Sequence, residues 1–320
     1  MSRNIREVPA QTPFTTFNGN SYPTTSALKS AVWTPQTPID LESVRSRHIR
    51  YGRNRLEEVT EGYIFRTTKE GVPYRLSQTD QGDIRVEAST DQDLQDAVEE
   101  SRIRFGEGLP YSPLAEVAER VPAVADQLRR MPGYRVPVNP ASFEVLISSI
   151  SAQQVNMKWA HTTLYRLIET FGTRMELELM QWWRFPSPER LALIDPSEIS
   201  ALQYTNRKAS YIVGVAKAVA DGCLSGIEEE GNETVIRRLV ALRGVGVWTA
   251  EWFLARCLGR PDAVAAGDLG VRKVVSRYVM GVEDEVFPEP EVRAAVESWG
   301  DGTNWAIHLL LERWAEEHSR

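Results

Sequence analysis

Hydrophobic and polar positions divide this chain into a short stretch of period two and a long stretch of period 3.6. Between residues 39 and 105 the apolar positions alternate. Tyr63-Ile64-Phe65-Arg66-Thr67, Val72-Pro73-Tyr74-Arg75-Leu76 and Ile84-Arg85-Val86 read as short strands, with Lys69-Glu70-Gly71 and Asp80-Gln81-Gly82-Asp83 as their turns. Thr90-Asp91 reads as a helix start ahead of Leu94, Ala97 and Val98. The expectation is a small antiparallel sheet with one helix, linked onward through Gly106, Gly108, Pro110 and Pro113.

Beyond about residue 114 the period is helical. Phe143, Leu146, Ile147 and Ile150 form one stripe; Trp159, Thr163, Leu167 and Ile168 form a second, ending near Phe171-Gly172. Ala209, Ile212, Val213, Ala216 and Val219 make a third, closed by Gly222. Val235, Ile236, Leu239 and Val240 give a short helix, residues 249–258 the next, and Trp305, Leu309, Leu310 and Arg313 lie on the last. No repeat occurs at solenoid periods. Residues 1–35, rich in Thr, Ser, Pro and Asn and punctuated by Pro9, Pro13, Pro23 and Pro35, keep neither period. They read as a disordered or loosely attached tail. The fold class is therefore α+β, mainly α: a tail over 1–35, an antiparallel sheet domain over 36–112, and an all-helical domain over 113–320.

Composition narrows the function classes. The chain has 320 residues, 42% of them hydrophobic, enough for two cores. No apolar run reaches the eighteen residues of a membrane span, and the first thirty residues lack a leader pattern. Cys223 and Cys257 are the only cysteines, so a disulfide framework and a four-cysteine zinc or iron–sulfur site are ruled out. A soluble intracellular protein of the cytoplasm or nucleoid is expected. The net charge is −7, which gives no global basic footprint for nucleic acid. Residues 233–277 reverse that balance, with eight basic side chains (Arg237, Arg238, Arg243, Arg256, Arg260, Arg272, Lys273, Arg277) against four acidic ones. Such a surplus suits a polyanion, or a solvated helix face of mixed charge.

The same segment holds the candidate chemistry. In Leu242-Arg243-Gly244-Val245-Gly246-Val247-Trp248-Thr249-Ala250, two glycines flank one apolar residue between two helical patterns. The turn presents backbone N–H groups at a helix N-terminus, where they can grip one phosphate without reading sequence. It also fits an ordinary helix–helix turn with glycine at C′. Asp268 follows Gly267 and opens Leu269-Gly270-Val271-Arg272-Lys273-Val274-Val275, so it fits a helix N-cap. With Arg272 and Lys273 nearby it stays ionised, as cleavage through an oxocarbenium-like sugar requires, and it can orient the attacking water.

These stretches together resemble the helix-hairpin-helix DNA glycosylases with a Gly/Pro-rich loop and a catalytic aspartate, in particular the 3-methyladenine-DNA glycosylase II group. Phe143-Glu144-Val145-Leu146-Ile147 running into Ser151-Ala152-Gln153-Gln154-Val155 is similar to the family's helix and Gln-Gln element. Arg207-Lys208-Ala209 and the helix after it are similar to the next family element, and the alternating segment at 39–105 to its N-terminal sheet. The resemblance covers about residues 39–317. It implies that Asp268 is the catalytic carboxylate and that Gly244, Val245 and Gly246 hold the DNA backbone. A monovalent cation can assist there through the backbone of Arg243 and Val245. It implies too that Gln154 fills the gap left by an extruded base, the alternative being an exposed loop amide, and that Arg272 lies on the DNA side.

Trp248 distinguishes branches. Bifunctional members carry at this position a lysine that attacks the sugar as a Schiff-base nucleophile. With tryptophan here, water is the expected nucleophile and strand cleavage is not expected. Trp248 and Trp252, one helical turn apart, can wall a base pocket, because cationic alkylated purines attract aromatic faces by roughly 0.5–2 kcal/mol each; both also fit as core residues. Two departures stand out. Trp299-Gly300-Asp301-Gly302-Thr303-Asn304-Trp305 lacks the family's Trp-x-Pro-aromatic-Arg run, and Ala265-Ala266-Gly267 lacks a common proline. His308 reads as structural. The expectation is a monomeric, monofunctional enzyme of base excision repair that releases alkylated purines (3-methyladenine, 7-methylguanine) from damaged duplex DNA by base flipping, with no required cofactor, iron–sulfur cluster or membrane partner. The alternatives are a glycosylase for oxidised or deaminated bases on the same fold, and a non-catalytic helix-hairpin-helix sensor of damage.

Overall fold

The computed structural model describes residues 5–7, 15–17, 20–22, 28–42, 44 and 54–318. Strands β1 (Ile5–Glu7), β4 (Lys29–Trp33), β5 (Glu57–Val59), β6 (Ile64–Thr67), β7 (Pro73–Gln78) and β8 (Ile84–Ala88) form an antiparallel sheet in the order β1-β4-β8-β7-β6-β5. A separate hairpin pairs β2 (Thr15–Phe17) with β3 (Asn20–Tyr22). Alternation sets the register: Leu76 lies opposite Ile64 on one side and Val86 on the other, and all three are fully buried. Their face packs on helix α1 (Asp91–Arg104), whose Leu94, Ala97 and Val98 point back at the sheet. Thr90 starts α1 with a reciprocal capping box to Asp93.

The tail expected over residues 1–35 is corrected: Ile5–Glu7 pairs with Lys29–Trp33 within the sheet. Lys29–Trp33 is an inner strand between β1 and β8, and Trp33 is 1% exposed beneath Arg102 and Phe105. Ala31 and Trp33 supply the apolar alternation; two such residues among Thr, Ser and Pro are too few to register as a strand. Pro9, Pro13 and Pro23 lie outside the described residues.

The second part is helical: α2 (Ser112–Arg120), α3 (Pro122–Arg130), α4 (Ser142–Ala152), α5 (Met157–Phe171), α6 (Pro188–Ala192), α7 (Pro196–Ala201), α8 (Asn206–Ala220), α9 (Asn232–Val240), α10 (Val247–Arg256), α11 (Leu269–Tyr278), α12 (Glu289–Val296) and α13 (Thr303–His318). Leu146, Ile147 and Ile150 of α4 are fully buried at its centre, against Leu167 and Ile168 of α5 and Ala209, Ile212 and Ala216 of α8. Trp159 departs from its expected stripe, being 40% exposed at the start of α5 with Arg166 over its ring. The expectation of an all-helical second part is amended by one β-hairpin, β9 (Thr173–Leu177) with β10 (Met180–Arg184). Leu177 and Trp182 leave the helices and join Phe65 on the outer face of the N-terminal sheet, and the Trp182 indole N–H donates to Thr67 Oγ1. No helix among the described residues is long and apolar enough to cross a membrane.

Candidate active site

The glycine turn joins α9 to α10. Gly244 has φ +97°, and a Cβ there would come within 2.3 Å of Tyr211 Cγ on α8. Both backbone conformation and packing therefore exclude a side chain. The Gly244 carbonyl accepts a hydrogen bond from Gln153 Nε2 at 2.9 Å, which ties the end of α4 to the hairpin. Val245 is buried and donates its N–H to the Leu242 carbonyl at 3.0 Å. Gly246 differs from Gly244: it is the exposed N-cap of α10, in extended conformation, and an added Cβ would meet nothing within 4 Å. No side chain caps α10. The protein's own packing does not ask for glycine at 246, and the first-turn amides of α10 are left open to an incoming acceptor.

Asp268 is the N-cap of α11, and its two oxygens have separate duties. Oδ1 accepts from the Gly270 and Val271 amides at 2.8 and 3.1 Å. Oδ2 accepts from the indole Nε1 of Trp248 at 2.8 Å and of Trp252 at 3.4 Å. The tryptophans stand at i and i+4 on α10, so their N–H edges converge on one oxygen. The helix cap uses Oδ1 alone, and Oδ2 is taken by the two indoles. What the sequence did not reveal is that Trp248 and Trp252 hold the carboxylate.

Trp252 is 7% exposed, belonging to the core as much as to the site. The Arg256 guanidinium lies 3.9 Å above its ring, and His308 meets it edge-on with centroids 5.7 Å apart. Beside this group the buried Glu251 pairs with Arg293 of α12 at 2.5 Å, and Arg293 pairs with Glu289 at 2.8 Å. Burial pushes the Glu251 carboxyl above the ordinary glutamate range in spite of Arg293. Glu289 in turn faces Gly267, where an added Cβ would lie 3.0 Å from its Oε2. The cluster joins α10, α12 and the loop carrying Asp268.

Arg272 Nε donates to the Phe287 carbonyl at 2.7 Å and ties α11 to the loop before α12. Much of the local basic surplus is engaged in the same way: Arg238 with Glu230, Arg260 with the Glu228 and Glu230 carbonyls, Arg277 with Glu283 and Glu317. Arg243 stays at the hairpin, its guanidinium 6.0 Å from the Tyr211 ring. Gln154 is exposed with φ +55°, a left-handed conformation uncommon outside glycine, and it projects beside the hairpin that Gln153 anchors. Val155, Met157 and Trp159 are partly exposed just after it. Gln153, the first member of the Gln-Gln pair, was not singled out from the sequence, yet it is the one bonded to the hairpin. His308 is buried, with Nδ1 2.9 Å from the Asn304 carbonyl, in keeping with a structural role. The departing segment 299–305 is packed, with Trp299 and Trp305 at 5% and 4% exposed.

An uncapped hairpin helix, an antiparallel sheet beside a helical body and an aspartate bonded to two indoles of that helix occur together in this chain. Residues 147–299, which hold Gln153, Gln154, the glycine hairpin, Trp248, Trp252 and Asp268, match the model of the HhH-GPD superfamily base excision DNA repair protein. In sequence the chain is similar to the DNA-3-methyladenine glycosylase of Bacillus subtilis (strain 168), with 32% identity over 50% of this chain and 54% of that one. It spans about half the length of the curated relatives it matches first. In fold it is similar to the 3-methyladenine DNA-glycosylase from Archaeoglobus fulgidus, with TM-score 0.78 and 21% identity over 90% of this chain and 99% of that one. It is similar also to the Clostridium acetobutylicum 8-oxoguanine glycosylase/lyase, with TM-score 0.72 and 16% identity over 99% of this chain and 98% of that one. The architecture is thus shared by proteins named for different bases.

Proposed function

We propose that this protein is a monofunctional DNA glycosylase that hydrolyses the N-glycosidic bond of an alkylated purine in duplex DNA and leaves the strand intact. The observation that carries this reading is Asp268, fixed by four donors across from an uncapped helix N-terminus, with tryptophan at 248 where a lyase needs an amine. The name of the Bacillus subtilis relative supports the substrate class.

In this reading the amides at Gly246 and the first turn of α10 hold a phosphate, and Gln154 enters the space vacated by the flipped base. Flipping is cheapest at damaged or weakened pairs. The bond between the sugar C1′ and the base nitrogen breaks, its electron pair leaving with the base. The sugar becomes an oxocarbenium ion facing the Asp268 carboxylate. A unit charge pair about 4 Å apart attracts by about 4 kcal/mol at the effective dielectric of a partly buried site. All four acceptor positions of the carboxylate already face donors. Asp268 therefore acts chiefly as a fixed anion. Water then attacks C1′, its proton passes to solvent, and the products are a free base and an abasic sugar. The Trp248 indole nitrogen, neutral and donating to Asp268, supplies no nucleophile for a Schiff base.

The experiment is to incubate the protein with methylated duplex DNA and measure base released and strands nicked before alkali. Base release without nicking is expected in the wild type. Asp268→Asn should lose release while keeping duplex affinity, since asparagine still serves as an N-cap. Nicking before alkali would refute the monofunctional claim. No release from any damaged duplex would favour a binding module instead.

A further inference from the structure

Two glutamines in left-handed conformation mark one face of the helical part: Gln154 (φ +55°) after α4 and Gln203 (φ +74°) after α7. Such backbone is uncommon outside glycine and persists where neighbours fix it. Gln203 Oε1 accepts from the Arg166 guanidinium of α5, which lies 5.7 Å from the Trp159 ring. Next along, the Tyr204 hydroxyl is 2.8 Å from Ser151 Oγ, and Lys208 Nζ donates to the Ser151 carbonyl at 2.9 Å. One turn later Tyr211 lies against Gly244. These contacts set an order along α8: the glycine hairpin at Tyr211, the Gln154 loop at Lys208, and Trp159 with Arg166 beyond Gln203.

The charge of this face runs against that of the chain. Residues 151–168, 199–220 and 241–250 carry Lys158, Arg166, Arg207, Lys208, Lys217 and Arg243 without one Asp or Glu, in a chain of net charge −7. None of the six forms an ion pair among the described residues. Arg238 and Arg277, in the segment of basic surplus, are both paired with glutamates. All of residues 154–159 are exposed, Met157 at 49% and Trp159 at 40%. Open cations beside an open indole suit a strand that offers phosphates and flat apolar surfaces together.

We propose that Trp159 and Arg166, with Lys158 beside them, are the docking site for the DNA strand opposite the lesion. The inference rests on the glycosylase reading, in which the hairpin holds the lesion strand and Gln154 enters the duplex. Trp159 follows Gln154 by five residues, two of loop and three of helix. That stretch spans about 12 Å, enough to cross a minor groove about 6 Å wide. With the hairpin on one side of the Gln154 loop, the α5 side meets the other strand. The indole packs on its sugars and base edges, and the two cations meet its phosphates. The site thereby makes tight binding depend on a second strand.

Fluorescence anisotropy reads this contact, with a duplex carrying a tetrahydrofuran abasic analogue and with the same labelled strand alone. Wild type should prefer the duplex. Trp159→Ala should reduce that preference by about 5- to 50-fold, the yield of burying the open part of an indole. Arg166→Gln and Lys158→Gln should each flatten the slope of log affinity against log salt by about 0.9 on the duplex, and leave the single-strand slope as in wild type. Thermal melting establishes that each variant is folded, and the exposed Lys158 keeps the test open if another variant does not fold. A folded Trp159→Ala with the wild-type preference would overturn the proposal. So would an equal loss on duplex and single strand, or charge variants that keep the wild-type duplex slope. Base release from methylated duplex checks the glycosylase reading separately. A protein that binds the tetrahydrofuran duplex through Trp159 yet frees no base would overturn that reading and leave the docking site standing.

Discussion

Two glycines separated by one residue should respond oppositely to the same substitution. At Gly244 a methyl group would sit 2.3, 2.5 and 2.6 Å from Tyr211 Cγ, Cδ2 and Cβ, the root of a ring that cannot move without α8. The backbone there, at φ +97°, adds about 1–2 kcal/mol of left-handed strain. Overpacking of this kind adds about 1–3 kcal/mol. Gly244→Ala should therefore lose about 2–5 kcal/mol, a large part of the roughly 5–15 kcal/mol typical of a domain. At Gly246 the backbone is ordinary, with φ −103° and ψ 176°, and a methyl group would touch nothing within 4 Å. Exchanging a glycine N-cap for alanine costs at most about 1 kcal/mol. Urea unfolding monitored by circular dichroism checks the first number; fluorescence anisotropy with a duplex checks the second residue. Gly246→Ala should fold normally, bind duplex DNA more weakly and show a shallower salt dependence, because one phosphate contact is obstructed. A Gly244→Ala protein within about 0.5 kcal/mol of wild type would refute the packing argument. A Gly246→Ala protein that binds DNA as wild type does would refute the assignment of α10 as the phosphate site.

Trp248→Phe keeps the ring but removes the 2.8 Å donor to Asp268 Oδ2. Hydrogen bonds to charged groups contribute about 1.5–3 kcal/mol, so base release should slow by about 10- to 150-fold in single turnover, with little change in duplex affinity. An unchanged rate would remove Trp248 from the machinery. Glu251 carries a pH prediction. Its carboxyl is raised in the folded protein by burial, so the stability associated with its protonated form is present at acid pH and lost as pH rises through the raised value. Glu251→Gln cannot ionise; its melting temperature relative to wild type should climb from the ordinary glutamate range towards neutral pH. A difference constant with pH would contradict the burial argument.

The legible parts were those that depend on neighbours in sequence. The strands at Tyr63, Val72 and Ile84, the helix start at Thr90 and the glycine turn each follow from local periodicity or capping. Asp268 stood out because a cap residue followed the hairpin at a suitable distance. The hydrogen bond from Arg272 to the Phe287 carbonyl was not legible, because helical phase says nothing about a carbonyl fifteen residues further on. The hydrogen bonds from Trp248 and Trp252 to Asp268 depend on how α10 meets α11, which no local pattern encodes. The alternation in Met175, Leu177 and Trp182 was visible but lay inside a long helical stretch, where a short strand signal is easily overruled.

The β9–β10 hairpin bears on how this chain can be cut. Trp182 and Leu177 are 3% and 8% exposed only because the sheet lies over them, and Glu178 holds Arg75 of that sheet at 2.5 Å. Trp183 also donates its backbone N–H to the Arg55 carbonyl at 2.8 Å. A truncated gene product beginning at residue 113 would inherit the whole hairpin-helix site yet display a bare indole, a leucine and an orphaned carboxylate on one flank. Such a fragment would tend to self-associate through that flank. The two parts distinguished by their periodicities are thus a poor place for scissors: one part's sheet is the other part's roof.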